Sequence, residues 1–426
     1  METRSGTPRV WLISAEFTTQ LGGGFRQQRW CECFLRRGMP VRVYALTGLY
    51  RIVVADFYTV EQLRAQRARW IAVAPPQAGV RTSRGAAFAR LLKHALLLDF
   101  FLPCVWLLLF TLLASLRRQE NRIAILCSSP PFSSAVVSAF VRAVKHRSVY
   151  LALDMRDLWS LHAAMKGPKF HKRAIEKFVM KQADIVTTVS VGLSRRFESA
   201  FKRKTTIAYN VATHIPTAVK IPKGTFHWNQ LVSGAVSGSI KILYTGSLPE
   251  GYYDLRSFAK ACALLTDSDA AIGQKIQFVF VGACGSLQRA SEEFPIADGL
   301  LLFAGQHSHE NVRLAQKSAD ALLFLGFDSP DNQGQVSIKL FEYFRAERPI
   351  LALSIKPASD IDILIERYCG QTIRLSSPEE MCRAFSSLSK AGTAGLPRPV
   401  NLHVDEELLR SYDDVVTSIV HELAIQ

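Results

Sequence analysis

A chain of 426 residues that is 48% hydrophobic has ample material for a buried core, and at roughly 150 residues per domain it divides into two large domains. Its formal charge of +16 is lopsided: residues 1–215 hold 33 Lys and Arg against 12 Asp and Glu, a net +21, while the remainder nets −5. A basic half suits nucleic acid, an anionic membrane or a polyanionic substrate, but no RNP strand, zinc-finger spacing or recognition helix accompanies it, which argues against nucleic acid, and the eight scattered cysteines form neither a disulfide ladder nor a metal site.

From the N-terminus, short apolar runs bounded by turns or helical segments recur at residues 10–14, 41–46, 123–127, 149–153, 185–189 and 205–209. That beat predicts a mostly parallel sheet with helices between its strands. A second series follows at 240–244, 277–282, 300–304, 321–325, 350–353 and 370–373. The same α/β pattern is therefore read twice, as two Rossmann-like domains. Between the series, residues 211–238 carry Pro216, Pro222, Gly224, Gly234 and Gly238 among few periodic apolar positions and read as the connection. The boundaries drawn are an N-terminal domain at 1–212, a linker at 213–238, a C-terminal domain at 239–395 and a last amphipathic helix at 403–426 that packs back toward the junction.

Nothing before Val10 reads as a secretory signal, so a cytoplasmic location is expected. Residues 95–115 are the most apolar stretch and nearly long enough to cross a bilayer, but Asp99 and Pro103 sit inside it. Spanning, buried and interfacial readings stay open there. The interfacial one draws on Arg90, Lys93, Arg117 and Arg118, which flank the stretch and suit an anionic membrane surface as partner.

Three places carry candidate chemistry. After the first strand, Gln20-Leu21-Gly22-Gly23-Gly24-Phe25-Arg26 opens a helix over 27–37. Gly22, Gly23 and Gly24 let backbone approach a ligand, and a helix N-terminus offers free N–H groups to an anion. The spacing is not the dinucleotide fingerprint, so NAD is disfavoured. At the end of the fourth strand stands Asp154-Met155-Arg156-Asp157-Leu158-Trp159, where Arg156 and Asp157 reach the strand end at which open α/β sheets bind ligands, or form a salt bridge and a cap. Third, Gly334-Gln335-Val336-Ser337-Ile338-Lys339-Leu340-Phe341-Glu342 enters a helix near Ser337, which places free N–H groups where a diphosphate fits. Lys339 and Glu342 share a face, and a lysine so near a helix N-terminus opposes the macrodipole unless an anion binds there. No histidine joins a metal cluster, His307 and His309 read as a solvated loop, no Asp-x-Asp spacing is picked out, and metal-independent chemistry is therefore expected.

These blocks, taken in order, resemble the family 4 glycosyltransferases of bacterial surface-polysaccharide assembly. The likeness runs through Cys127-Ser128-Ser129-Pro130-Pro131, Arg156-Asp157-Leu158-Trp159, residues 183–190, Ala208-Tyr209-Asn210-Val211, Ile242-Leu243-Tyr244-Thr245-Gly246-Ser247 and the block ending in Glu342. It covers the chain nearly end to end through six individually weak motifs. The resemblance implies a GT-B fold, with two Rossmann-like domains facing across a cleft, and a retaining transferase that needs no cofactor beyond its nucleotide diphosphate sugar. The basic first domain is expected to take the acceptor, a glycan or, given the apolar 95–115 stretch, a polyprenyl-linked sugar. The resemblance implies nucleotide-sugar contacts from the block ending in Glu342, with Glu342 accepting hydrogen bonds from the ribose hydroxyls. The reading of the residues themselves adds Gly22, Gly23, Gly24, Gly246, Ser247, Ser337 and Lys339 to the expected donor site and takes Asp157 with Arg156 as the catalytic pair that orients sugar or acceptor. The chain departs from the family pattern at Gly334, where a further glutamate is usual, and after Gly246, where Ser247 to Asp254 lack the usual basic residues. The rival readings are a nucleotide-sugar 2-epimerase and a non-catalytic nucleotide- or glycan-binding subunit.

Overall fold

The computed structural model describes residues 8–18, 22–48, 51–73, 104–160, 169–210, 226–326, 334–400 and 404–425. The chain forms two compact units, residues 1–213 with 405–426, and residues 214–404.

In the first unit β1 (Val10–Ser14), helix α1 (Gly22–Arg36), β2 (Val41–Gly48), β3 (Arg51–Phe57) and α2 (Val60–Val73) come first. They are followed by α3 (Cys104–Leu116), β4 (Ile123–Ser129), α4 (Phe132–Val144), β5 (Val149–Met155), α5 (Lys169–Gln182), β6 (Ile185–Thr188), α6 (Val191–Phe201) and β7 (Thr206–Ile207). Among the described residues the sheet order is β3-β2-β1-β4-β5-β6-β7, parallel throughout except for the antiparallel β2–β3 pair. Residues of β1, β4 and β5 are buried without a break, as expected for strands covered on both faces. The sequence pattern passes over β3, whose apolar run is interrupted by charge and half exposed. It is an edge strand, held to β2 by a two-pronged ion pair from Arg42 to Asp56 at 2.6 and 2.7 Å.

The second unit runs β8 (Ile240–Thr245), α7 (Leu255–Ser268), β9 (Ile276–Val281), α8 (Gly285–Ser291), β10 (Leu301–Gly305), α9 (His309–Ser318), β11 (Ala321–Leu325), α10 (Ile338–Ala346), β12 (Ile350–Leu353), α11 (Asp360–Cys369) and α12 (Pro378–Ala391). Its sheet, β10-β9-β8-β11-β12, is all parallel. The expected strand at 370–373 does not form. Gly370 caps α11 at φ 79°, its N–H bonded to Glu366, and only an isolated bridge from Leu353 to Leu375 follows.

The last helix, α13 (Val404–Ala424), belongs to the first unit. Tyr412 packs on Trp30 with ring centroids 4.4 Å apart, and Arg37 pairs with Asp413 at 2.7 Å. The expected apolar stretch lies partly outside the described residues. Its described part, α3, buries Leu108, Leu112 and Leu116 in the core and is 13 residues long. Among the described residues no helix is long and apolar enough to cross a membrane.

Candidate functional site

Among the described residues of the second unit, four of the five strands end on glycine. Gly246, Gly282 and Gly326 follow β8, β9 and β11 directly, and Gly305 closes β10. Each continues the ladder by one bond: Gly246 N–H donates to Val281, Gly282 to Gly305 and Gly326 to Leu353. A Cβ on Gly282, whose φ is +123°, would lie 2.3 Å from the Gly246 carbonyl, and one on Gly326 would lie 2.4 Å from that of Ser354. The carboxyl edge of this sheet is therefore a rim of bare backbone, the edge at which open α/β sheets bind ligands.

Helix α10 opens at this rim. Ser337 is its N-cap, with the Oγ accepting from Lys339 N–H. The Lys339 side chain reaches β8. Its Nζ donates to Tyr244 Oη at 2.6 Å, sits 4.0 Å from the Tyr244 ring centroid, and lies 3.1 Å from where a Cβ on Gly246 would stand. A Cβ at 246 would crowd the end of the Lys339 side chain. Burial drives this ammonium down to about 8, against the weaker upward pull of Cys284 and Glu342. Glu342 is half-buried one turn along the same face. The first turn of α10 thus presents a hemmed-in cation at the positive end of a helix.

Several members of this constellation escape the sequence reading. Tyr343 Oη accepts from Thr245 N–H at 3.0 Å, and Gln316 donates to Thr245 Oγ1 at 2.9 Å, which fastens α9 and α10 to the end of β8. The Cys284 thiol, raised to about 11 by burial, donates to the Gly246 carbonyl. The glycines after β9 and β11 were the legible signal, since each ends an apolar strand. Ser247, next to the turn, is exposed, and its carbonyl accepts from Tyr244 Oη.

In the first unit the three glycines lie inside α1, which starts at Gly22 and not at Gln27. The start is earlier because Arg26 and Gln27 are anchored in the core. Arg26 grips Asp154 at the end of β5 and donates also to Tyr412 Oη and to the Ala208 and Tyr209 carbonyls. Asp154 further accepts from Ser128 and Thr187. Burial alone would raise this carboxyl, and Arg26 overrides it and holds it low.

Arg156 donates to Glu16 and to the Pro130 carbonyl, both at 2.7 Å, so it ties the end of β5 to the loops after β1 and β4. Asp157 is half-buried beside it. Trp159 stacks on Phe132 at 4.9 Å, and buried Glu176, its carboxyl raised by desolvation, accepts from Ser160 N–H and Oγ. Around these strand ends Gln27 Nε2, Ser129 Oγ, Arg156 Nε and Thr188 Oγ1 are buried without a hydrogen-bond partner among the described residues. Unpaired buried polar atoms are uncommon, and four at one sheet edge suit a polar ligand.

His307 Nε2 lies 3.1 Å from the Ala304 carbonyl and His309 opens α9. Among the described residues no three acidic, His or Cys side chains converge as a metal site. Asp-x-Asp spacing, which the sequence analysis takes as absent, occurs twice, at Asp267–Asp269 and Asp360–Asp362, and the fold engages Asp269 and Asp362. Asp269 pairs with Lys275 at 2.6 Å and caps Ala271, while buried Asp362 pairs with Arg374 at 2.9 Å and accepts from Ala358 N–H.

No family model and no curated protein matches the chain. Its backbone is similar to the α,α-trehalose 6-phosphate synthase of Burkholderia multivorans, with a TM-score of 0.60, 10% identity and coverage of 98% of this chain and 99% of that one. It is similar to HepE of Anabaena in complex with UDP, at TM-score 0.55, 11% identity and 98% of each chain. It is also similar to a Listeria monocytogenes protein assigned as a UDP-N-acetylglucosamine 2-epimerase, at 0.51, 9% identity, 99% and 98%. The chain has the GT-B fold. Its structural neighbours are GT-B glycosyltransferases and epimerases, and at such identities the shared property is the fold.

Proposed function

We propose that this GT-B protein is a retaining, metal-independent glycosyltransferase of family 4 type that moves a sugar from a nucleotide diphosphate sugar to a glycan or lipid-linked acceptor in surface-polysaccharide assembly. The observation that carries the reading is Lys339, a cation desolvated over bare Gly246 and set in the first turn of α10. A diphosphate there meets the positive end of the helix and an ammonium that regains a counter-charge. It also supplies the phosphate charge that the segment after Gly246 lacks.

The step breaks the bond from the anomeric carbon to the diphosphate oxygen and forms one to the acceptor hydroxyl oxygen. The leaving diphosphate gains charge as the sugar becomes oxocarbenium-like, so the preorganised positive helix end and Lys339 stabilise the transition state more than the ground state. Glu342 is assigned to the ribose hydroxyls, Ser337 and Ser247 to the phosphate and turn region, and Gly22 to Gly24 to an anion at the start of α1. Asp157, positioned by Arg156, orients sugar or acceptor, and the unpaired polar atoms around it support an acceptor subsite on the first unit. Acceptor chemistry and the basic charge of this unit support work at the cytoplasmic face of a membrane.

The test is a thermal-shift series with UDP-, GDP- and ADP-sugars, followed by release of free nucleoside diphosphate in the presence of acceptor lipid or glycan and EDTA. One nucleotide series is expected to raise the melting temperature, and turnover is expected to survive EDTA. No shift with any donor removes the reading, and a sugar epimer formed without acceptor replaces it with epimerisation.

A further inference from the structure

Helices α3, α4 and α5 pack side by side on one face of the first sheet. Their outward residues are unusual for a protein surface. On α3 these are Trp106 at 66% exposure, Leu107 at 41% and Phe110 at 65%. The outward pair on α4 is Phe140 and Val144, four residues apart, and α5 adds Phe170 and Phe178. Neither α3 nor the outward pair of α4 contains a charge. A contiguous apolar face of this kind marks an interaction site.

Charge gathers along one edge of that face. Helix α4 connects β4 to β5, while α3 and α5 lead into β4 and β6, so all three end where those parallel strands begin. Exposed at those ends are Arg117, Arg118, Lys145, Arg147 and Lys181, with Arg173 and Lys177 along α5. The acids are few. Glu176, the one acid of the three helices, is buried, Asp184 is held by Arg142, and Glu120 lies in the α3–β4 loop.

We propose that this three-helix face docks on an anionic phospholipid bilayer. Aromatic and aliphatic side chains of α3, α4 and α5 enter the headgroup–acyl boundary, and the cationic edge pairs with lipid phosphates. Charge decides between occupants. A second copy would set one cationic edge against another, and nucleic acid would leave the Trp106–Phe110–Phe140 surface in water. The proposal supplies a surface for the membrane location in the proposed function, and it stands or falls apart from the donor site.

The experiment is co-sedimentation of the full chain with vesicles of phosphatidylcholine alone or with one third phosphatidylglycerol. Two variants are compared, Trp106→Ser/Phe110→Ser/Phe140→Ser and Lys177→Gln/Lys181→Gln, all at exposed positions. Wild type is expected to pellet with anionic vesicles and to be released by salt. At about 1 kcal/mol per cation, the double lysine variant loses about 25-fold on anionic vesicles only. The triple variant loses at least about tenfold on both compositions. Melting temperature and donor-induced thermal shift are read on the same samples and stay at wild-type values, which separates failure of docking from misfolding and from failure of the donor reading. Wild type remaining in the supernatant, variants binding as wild type, or a dimer that the triple variant makes monomeric without change in vesicle binding would each overturn the proposal.

Discussion

The Lys339 site makes a pH prediction with a defined sign. A bound diphosphate favours the charged ammonium, so donor binding takes up a proton wherever free Lys339 is neutral and bound Lys339 is charged. With the free group at about 8, donor affinity is flat below that pH and weakens above it. If the bound group returns to the ordinary lysine range, the apparent Kd rises about tenfold between pH 7 and pH 9. The neighbouring groups do not titrate there: burial holds the Cys284 thiol near 11, and Tyr244 and Tyr343 are raised above the normal tyrosine range. The assay is calorimetry with a nucleotide sugar whose diphosphate is esterified at both ends, run in buffers of different ionisation enthalpy so that proton uptake is read directly. Lys339→Met is expected to bind weakly at pH 7 and to lose the slope, while Lys339→Arg keeps its charge and flattens the profile. A wild-type profile that is flat from pH 7 to 9, or a slope that persists in Lys339→Met, refutes the assignment.

Glu342→Ala is expected to raise the donor KM at least about tenfold, the scale of a lost hydrogen bond to a charged group, with the melting temperature unchanged; unaltered donor kinetics remove Glu342 from the site. Gly282→Ala forces a Cβ against the Gly246 carbonyl at a positive φ, and a loss of more than about 2 kcal/mol in urea melts, together with loss of donor-induced thermal shift, is the expected outcome. Asp154→Asn leaves Arg26 buried beside a neutral partner and is expected to cost about 3–5 kcal/mol. The Asp154 carboxyl is held low in the folded chain, so its contribution is present at neutral pH and lost as pH falls below the ordinary carboxylate range. Acid melts of wild type and Asp154→Asn should therefore converge, and curves that stay parallel refute this.

Strands buried on both faces were legible because their sequence leaves no alternative. Val10–Ser14, Ala321–Leu325 and Ile350–Leu353 are continuous apolar runs whose ends the structure reproduces. Edges and ends were less so. The β3 strand hides because an edge strand needs cover on one side only, and Gly370 was read as a strand opening because a helix C-cap and a turn use the same residue. The start of α1 reads five residues late for a related reason: glycines signal a loop locally, whereas here they lie in the helix whose Arg26 reaches Asp154, 128 positions away.

The site divides along the same line. Ser337, Lys339 and Glu342 were legible because a cap, a misplaced cation and a same-face acid are local relations along one helix. Tyr244 and Gly282 were not, since their meaning lies in contacts with Lys339 and Gly246 that only the parallel packing of β8, β9 and α10 creates. The missing basic residues after Gly246 belong to this argument. A Cβ at residue 246 would press on the end of the Lys339 side chain at 3.0–3.1 Å, so bare Gly246 and inward Lys339 fit as one device. Gly246→Ala should then act on the donor through Lys339, and abolish the same pH dependence that Lys339→Met abolishes. A Gly246→Ala chain that folds, binds donor and keeps the slope between pH 7 and 9 would separate the two residues and leave the phosphate without its proposed cation.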